Sequence, residues 1–151
     1  MEIKAADVMK LRKMTGAGMM DCKKALQEAE GDFERAKDII REKGKLVVAK
    51  RSDRTATEGV VVTKIVDQKA YILCLACETD FVAANNEFGA SANAILEVAV
   101  AADAADRDAL MGVKNAEGIT VEEMVTEKSG QTGEKVELAY YARIEAPYCV
   151  S

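Results

Sequence analysis

Through the first fifty residues apolar positions recur every three or four places, the period of helices packed on one side. Ala5, Val8, Leu11 and Thr15 mark one face of a first helix. It is expected to stop at Thr15-Gly16-Ala17-Gly18, where two glycines permit backbone angles through which a helix cannot continue. Cys22, Ala25, Leu26 and Ala29 fall at i, i+3, i+4 and i+7 of a second helix closed by Gly31. Asp32 is a fitting N-cap for a third, with Phe33, Ala36 and Ile40 on one face, reaching Gly44. Lys45 to Arg54 mixes four basic residues with Leu46, Val47, Val48 and Ala49, and reads as a short basic helix or a linker. A boundary is expected near Ser52 to Ala56.

The pattern then changes. Gly59–Val66 and the run from Lys69 to Glu78 are rich in β-branched and apolar residues and are separated by Asp67-Gln68, which predicts an antiparallel hairpin. From Asn86 to Ala105 the residues Phe88, Ala92, Ile95, Ala99 and Ala102 return to helical spacing, giving a long helix expected to lie across the sheet. Thr120-Val121-Glu122-Glu123 has the form of a capping box that opens another helix. Gly130 and Gly133 are expected to break it, Glu134 to Leu138 to add a further turn, and Ala139–Ala146 to form a strand ending at Pro147. The fold class expected is α+β: a small N-terminal three-helix bundle with a short basic linker over 1–54, then an antiparallel sheet over 55–151 with helices packed on one face.

Composition narrows the function. At 151 residues, 49% hydrophobic and 31% charged, with 10 Gly and 1 Pro, the chain falls in the globular range. No run of about 18 apolar residues occurs, and no basic-then-apolar leader follows Met1, so no membrane partner and a cytoplasmic location are expected. Histidine is absent, which removes Ser-His and Cys-His nucleophile pairs and every metal site that needs an imidazole. The net charge of −5 is uneven: 14 Lys and Arg against 10 Asp and Glu over 1–54, but 7 against 16 over 55–151. A basic head on an acidic body suggests two modules. The acidic body and the scattered basic residues of the head argue against nucleic acid.

Most candidate chemistry has a plainer reading. Cys22, Cys74, Cys77 and Cys149 are too few for a disulfide scaffold and are expected as reduced thiols. Cys74 and Cys77 form a C-x-x-C, but on a strand residues three apart face opposite ways, and no second pair completes a metal site. Asp103, Asp106 and Asp108 lack calcium-loop spacing and read as a solvated acidic loop. Gly16-Ala17-Gly18 matches only the start of a dinucleotide fingerprint and follows a helix, so it reads as a turn. No metal, cofactor or catalytic residue is expected. Two features resist this treatment. Met20 points nearly opposite the stripe through Cys22 and Leu26, with Met19 at the stripe's edge: a partner contact or ordinary exposure. Phe81, in Glu78-Thr79-Asp80-Phe81-Val82, lies outside both neighbouring periodic faces: an anchor for another protein, or a ring folded back to cap its own core.

The segment Leu11-Arg12-Lys13-Met14-Thr15-Gly16-Ala17-Gly18-Met19-Met20-Asp21-Cys22-Lys23-Lys24-Ala25-Leu26, together with Glu78-Thr79-Asp80-Phe81-Val82-Ala83 and Asn85, resembles the elongation factor Ts family of bacterial type. The resemblance covers all 151 residues, from a head similar to ubiquitin-associated domains through the first half of a core or dimerisation domain. Ala84 stands where the family usually has Lys or Arg. Family members continue into a second core half and a helical hairpin, so a chain ending at Ser151, just past Ala146-Pro147-Tyr148-Cys149-Val150, is expected to be a truncated piece.

The resemblance implies a translation elongation factor that promotes GDP release from elongation factor Tu, engaging its GDP-bound and nucleotide-free forms, and making or breaking no covalent bond. It implies that Asp80 and Phe81, with Thr79 and Val82 beside them, enter the Tu nucleotide domain and disturb Mg²⁺ and phosphate binding. Arg12, Met19, Met20 and Lys23 would grip another helix of that domain. Oligomeric state stays open, including a homo-oligomer of the full-length protein. Competing readings are a generic adaptor that holds a peptide or ubiquitin-like partner by the head, and a thiol-redox enzyme built on Cys74 and Cys77.

Overall fold

The computed structural model describes residues 2–147. Its elements, in order, are α1 (Ala5–Thr15), α2 (Met19–Glu28), α3 (Phe33–Lys50), β1 (Glu58–Val66), β2 (Lys69–Cys77), α4 (Asp80–Ala83), α5 (Asn86–Ala102), α6 (Arg107–Met111), α7 (Val121–Thr132) and β3 (Glu137–Glu145). Seven helices and one three-stranded antiparallel sheet make the described residues α+β. They divide into two compact units. The first comprises residues up to Asp53 together with Thr126–Lys135, and the second comprises Arg54–Val125 with the chain from Val136 onward.

In the first unit local chemistry sets the helix ends. Gly16 takes the left-handed conformation (φ 71°) and returns its N–H to the Arg12 carbonyl at 2.7 Å, closing α1. Gly31 (φ 85°) does the same after α2, donating to the Leu26 carbonyl at 2.9 Å. Asp32 Oδ1 accepts from the amides of Glu34 and Arg35 at 2.9 and 3.1 Å, the N-cap expected of α3. Val8, Leu11, Cys22, Leu26, Ala36 and Ile40 are buried together as the core of this unit.

Two glycines read as stops are not stops. Helix α3 continues through Gly44 to Lys50, absorbing most of the stretch expected as a basic linker, and α7 continues through Gly130 to Thr132. A Cβ on Gly44 would lie 2.8 Å from the Thr126 carbonyl oxygen, and one on Gly130 would lie 2.7 Å from Gly44 Cα. These glycines allow the backbones of α3 and α7 to cross in contact, which no larger residue permits. Alongside, Arg41 Nε reaches Glu127 Oε1 at 3.5 Å. The helix ends at Gly133 (φ 71°) instead.

In the second unit β1 and β2 form the expected hairpin, with Val66 opposite Lys69 and Asp67 at positive φ (54°) in the turn. β3 pairs with the other edge of β2, giving the order β1-β2-β3, with an irregularity at Cys74/Leu75. Tyr71, Leu73, Leu75 and Cys77 occupy one face of β2 and are buried with Phe88, Ala92, Ile95 and Ala99 of α5. Fully burying a ring such as Phe88 contributes about 3 kcal/mol. Ala102 does not extend that stripe: it is exposed, the helix ends there, and Ala104 is buried in its place. The capping box forms as expected, with Thr120 Oγ1 accepting from the Glu123 amide at 3.1 Å and Glu123 Oε2 accepting from the Thr120 amide at 3.0 Å. No helical turn occupies 134–138; β3 starts at Glu137, two residues before the expected strand. The sheet face turned away from α5 carries exposed Val61, Tyr140 and Ile144.

Candidate functional site

Strand β2 ends at Cys77, and two residues later the chain makes a single turn of helix before α5 begins. Phe81, which lies outside both neighbouring periodic faces, stands on this turn, α4. Thr79 caps it: its hydroxyl accepts from the Val82 amide at 3.4 Å, and its carbonyl accepts from the Ala83 amide at 3.2 Å. Asn85 is both the exit of α4, donating to the Val82 carbonyl at 3.1 Å, and the N-cap of α5, accepting from the Glu87 amide at 2.8 Å. A Thr and an Asn six residues apart, each just ahead of helix-compatible residues, are the sequence signal for two successive caps.

This turn is amphipathic. Val82 and Ala83 pack against the core of the second unit, while Asp80 and Phe81 face outward. Phe81 is 85% exposed, the most exposed of the large apolar side chains among the described residues. The alternative in which the ring folds back to cap its own core is therefore overturned. The carboxylate of Asp80 makes no ion pair among the described residues. What results is a free acid and a free aromatic ring on a short, doubly capped platform.

The first unit carries the other candidates. Met19 and Met20 open α2, and both are exposed, Met20 by 64%. Lys23, one turn on, is exposed and makes no ion pair among the described residues. Arg12 is an exposed residue of α1, near enough to the Cys22 thiol, one turn along α2 from Met19, to act on it electrostatically. Burial nevertheless pushes that thiol up, so it stays protonated under the helix. Helical geometry placed Met20 correctly because a period of 3.6 fixes what lies opposite a buried stripe.

Among the remaining sequence candidates, Asp103 and Asp106 have structural roles. Cys74 and Cys77 sit on opposite faces of β2, the first half-buried and the second buried. Cys149 lies outside the described residues. Asp103 is not part of a solvated loop, a correction to the sequence reading. It ends α5 in the left-handed conformation (φ 49°) and collects Lys69 Nζ at 2.6 Å, Tyr71 OH at 2.6 Å and Arg143 Nη1 at 3.2 Å on its carboxylate. The Lys69 ammonium and then the Tyr71 hydroxyl hold this carboxyl down at about 2, and the same hydrogen bond to Asp103 pushes the Tyr71 phenol up to about 12. Tyr141 OH adds a bond to the Ala104 carbonyl at 2.7 Å. The node lies at the Lys69 end of β2, about 25 Å of strand from Cys77 at the usual rise, and so stands apart from Phe81. Asp106 is the N-cap of α6, accepting from the Ala109 amide at 2.8 Å.

Comparison with known proteins places this arrangement. The family model described as elongation factor TS matches residues 78–150, a stretch that begins with the segment carrying Thr79, Asp80 and Phe81. Elongation factor Ts of Parabacteroides distasonis is 51% identical over 148 residues, covering 98% of this chain and 45% of that protein. The Porphyromonas gingivalis protein of the same name is 47% identical over 151 residues, all of this chain and 55% of its own length. That of Christiangramia forsetii is 46% identical over 149 residues, 97% of this chain and 53% of its own. The chain thus spans about half the length of the curated relatives it matches. On this similarity, carried through both units, the chain belongs to the elongation factor Ts family.

Proposed function

We propose that this chain acts in translation elongation as a nucleotide exchange factor, promoting release of GDP from elongation factor Tu without covalent chemistry or a cofactor of its own. The observation that carries this reading is Phe81, held 85% in water on a capped turn with Asp80 beside it. A fold gains nothing from keeping so large an apolar ring in solvent, whereas an interface gains an anchor. In this reading Asp80 and Phe81, flanked by Thr79 and Val82, enter the nucleotide domain of Tu and displace the elements that hold Mg²⁺ and phosphate. Arg12, Met19, Met20 and Lys23 of the ubiquitin-associated-like head grip a second surface of the same domain. Thioether side chains suit that role, being unbranched and polarizable, and the exposed cations Arg12 and Lys23 add steering. Ala84, where the family usually carries Lys or Arg, offers no charge contact.

Purified Tu loaded with labelled GDP tests the reading. Adding this chain in excess is expected to accelerate GDP loss, and Tu is expected to be retained on the immobilised chain and eluted by GDP. Absence of both acceleration and retention would overturn the assignment.

A further inference from the structure

An exposed aromatic ring works as an anchor only if the backbone beneath it is fixed, and α4 is too short to fix itself. One turn of helix restrains several dihedral angles for very few hydrogen bonds and is unfavourable in isolation. Its N-terminal ties converge on Thr79, whose hydroxyl accepts from Val82 and whose carbonyl accepts from Ala83. That carbonyl takes a second donor: the Sγ of Cys77 lies 3.3 Å from it. Cys77 is fully buried, is the last residue of β2, and is paired with Glu58 of β1, so its thiol is carried by the sheet and not by the turn.

We propose that Cys77 is a positioning residue for Phe81, its S–H holding the Thr79 carbonyl so that the capped turn keeps one orientation relative to the sheet. This goes beyond the exchange reading by naming what supports the ring, and its link to nucleotide release rests on that reading. It also gives the C-x-x-C a use. Cys74, on the opposite face, takes no part, and Cys77 acts as a buried hydrogen-bond donor and not as a redox or metal group. A thiol is a weak donor, so the expected effects are modest, about two- to fivefold. Serine at this position preserves a donor on a side chain of similar shape, and alanine removes it.

Two measurements on residues 1–151 test the proposal separately from the exchange activity and together with it. The first is amide hydrogen exchange at Ala83 and Ala84, whose N–H groups bond to the carbonyls of Thr79 and Asp80. In Cys77→Ala these amides are expected to exchange about two- to fivefold faster, with the amides of Leu73 and Leu75 in β2 unchanged, and Cys77→Ser is expected to restore them. Unchanged α4 amides, or an equal loss of protection throughout β2, would overturn the positioning role whether or not the chain acts on Tu. The second is a double-mutant cycle on GDP release from Tu. Cys77→Ala is expected to slow release in the parent and to add nothing in a Phe81→Ala background, because it acts through the ring. Equal slowing in both backgrounds would overturn the link to Phe81. A parent chain that leaves GDP release unaccelerated would refute the exchange reading, and the positioning role then stands or falls on the amides.

Discussion

An aromatic ring in water contributes little to the fold that carries it, so removing the Phe81 ring separates stability from recognition. Phe81→Ala is expected to change unfolding free energy by no more than about 0.5 kcal/mol, as for other exposed substitutions away from structural features; a thermal melt beside the parent checks it. Asp103 is the opposite case. Its carboxyl is lowered from 3.8 to about 2 by Lys69 and Tyr71, so its contribution is complete above pH 4 and is lost as pH falls through the folded value near 2. Tyr71 is raised from 10.0 to about 12, so its contribution is complete below pH 10 and is lost as pH rises toward 12. Asp103→Asn should therefore lower the melting temperature at pH 7, and its difference from the parent should shrink between pH 4 and pH 2. Melts across that range measure it, and a difference independent of pH would contradict the cause. At this scale the sequence was legible where a period applied. Met20 could be placed on the outer face because it sits on a helix with a clear stripe, but Phe81 stands between two periodic segments, and no periodicity decides where such a ring points. Asp103 was illegible for another reason: Tyr71 and Arg143, distant in sequence, meet it only after the sheet forms.

Among the elements, glycine separates what the sequence shows from what it hides. Gly16, Gly31 and Gly133 take positive φ and end helices, as a local reading expects. Gly44 and Gly130 look the same in sequence yet lie within helices, where they permit the backbones of α3 and α7 to touch. A local rule could not distinguish them, because the reason for each is a residue about 85 positions away in the chain. The difference is measurable. In Gly130→Ala the new methyl meets backbone at 2.7 Å, so the helices must separate, at a cost of about 1–3 kcal/mol typical of overpacking. Gly89→Ala on α5 meets nothing within 4 Å and should stabilise by about 0.4–1 kcal/mol through helix propensity. Denaturant melts of the two variants should move in opposite directions; equal shifts would mean that the crossing is not tight. The hairpin, the long helix and the Thr120 capping box were readable because each depends on neighbours a few residues apart. The one-turn α4 was not, since a four-residue helix has no period and is marked only by its caps.

For the whole molecule the magnitudes limit what one ring can do. Weakening GDP by about 10⁴-fold requires about 5.5 kcal/mol of preference for the opened partner, and burying a phenylalanine supplies about 1.5–3 kcal/mol. In the proposed reading the rest comes from other contacts, among them Met19, Met20, Arg12 and Lys23 on the first unit. Linkage makes the coupling reciprocal: nucleotide-free Tu should bind this chain more tightly than GDP-loaded Tu by the same factor by which the chain weakens GDP. Titrations of the two forms compare these factors, and equal affinities would exclude exchange as the activity. Because the chain spans about half the length of its curated relatives, its acceleration is expected to fall below that of a full-length relative. The most direct test is stopped-flow release of fluorescent GDP from purified Tu, with the parent chain and with Phe81→Ala at equal concentration. The parent is expected to accelerate release and Phe81→Ala to lose about ten- to a hundredfold of that acceleration, the kinetic equivalent of one buried ring. Equal rates from the two proteins would contradict the account at its centre.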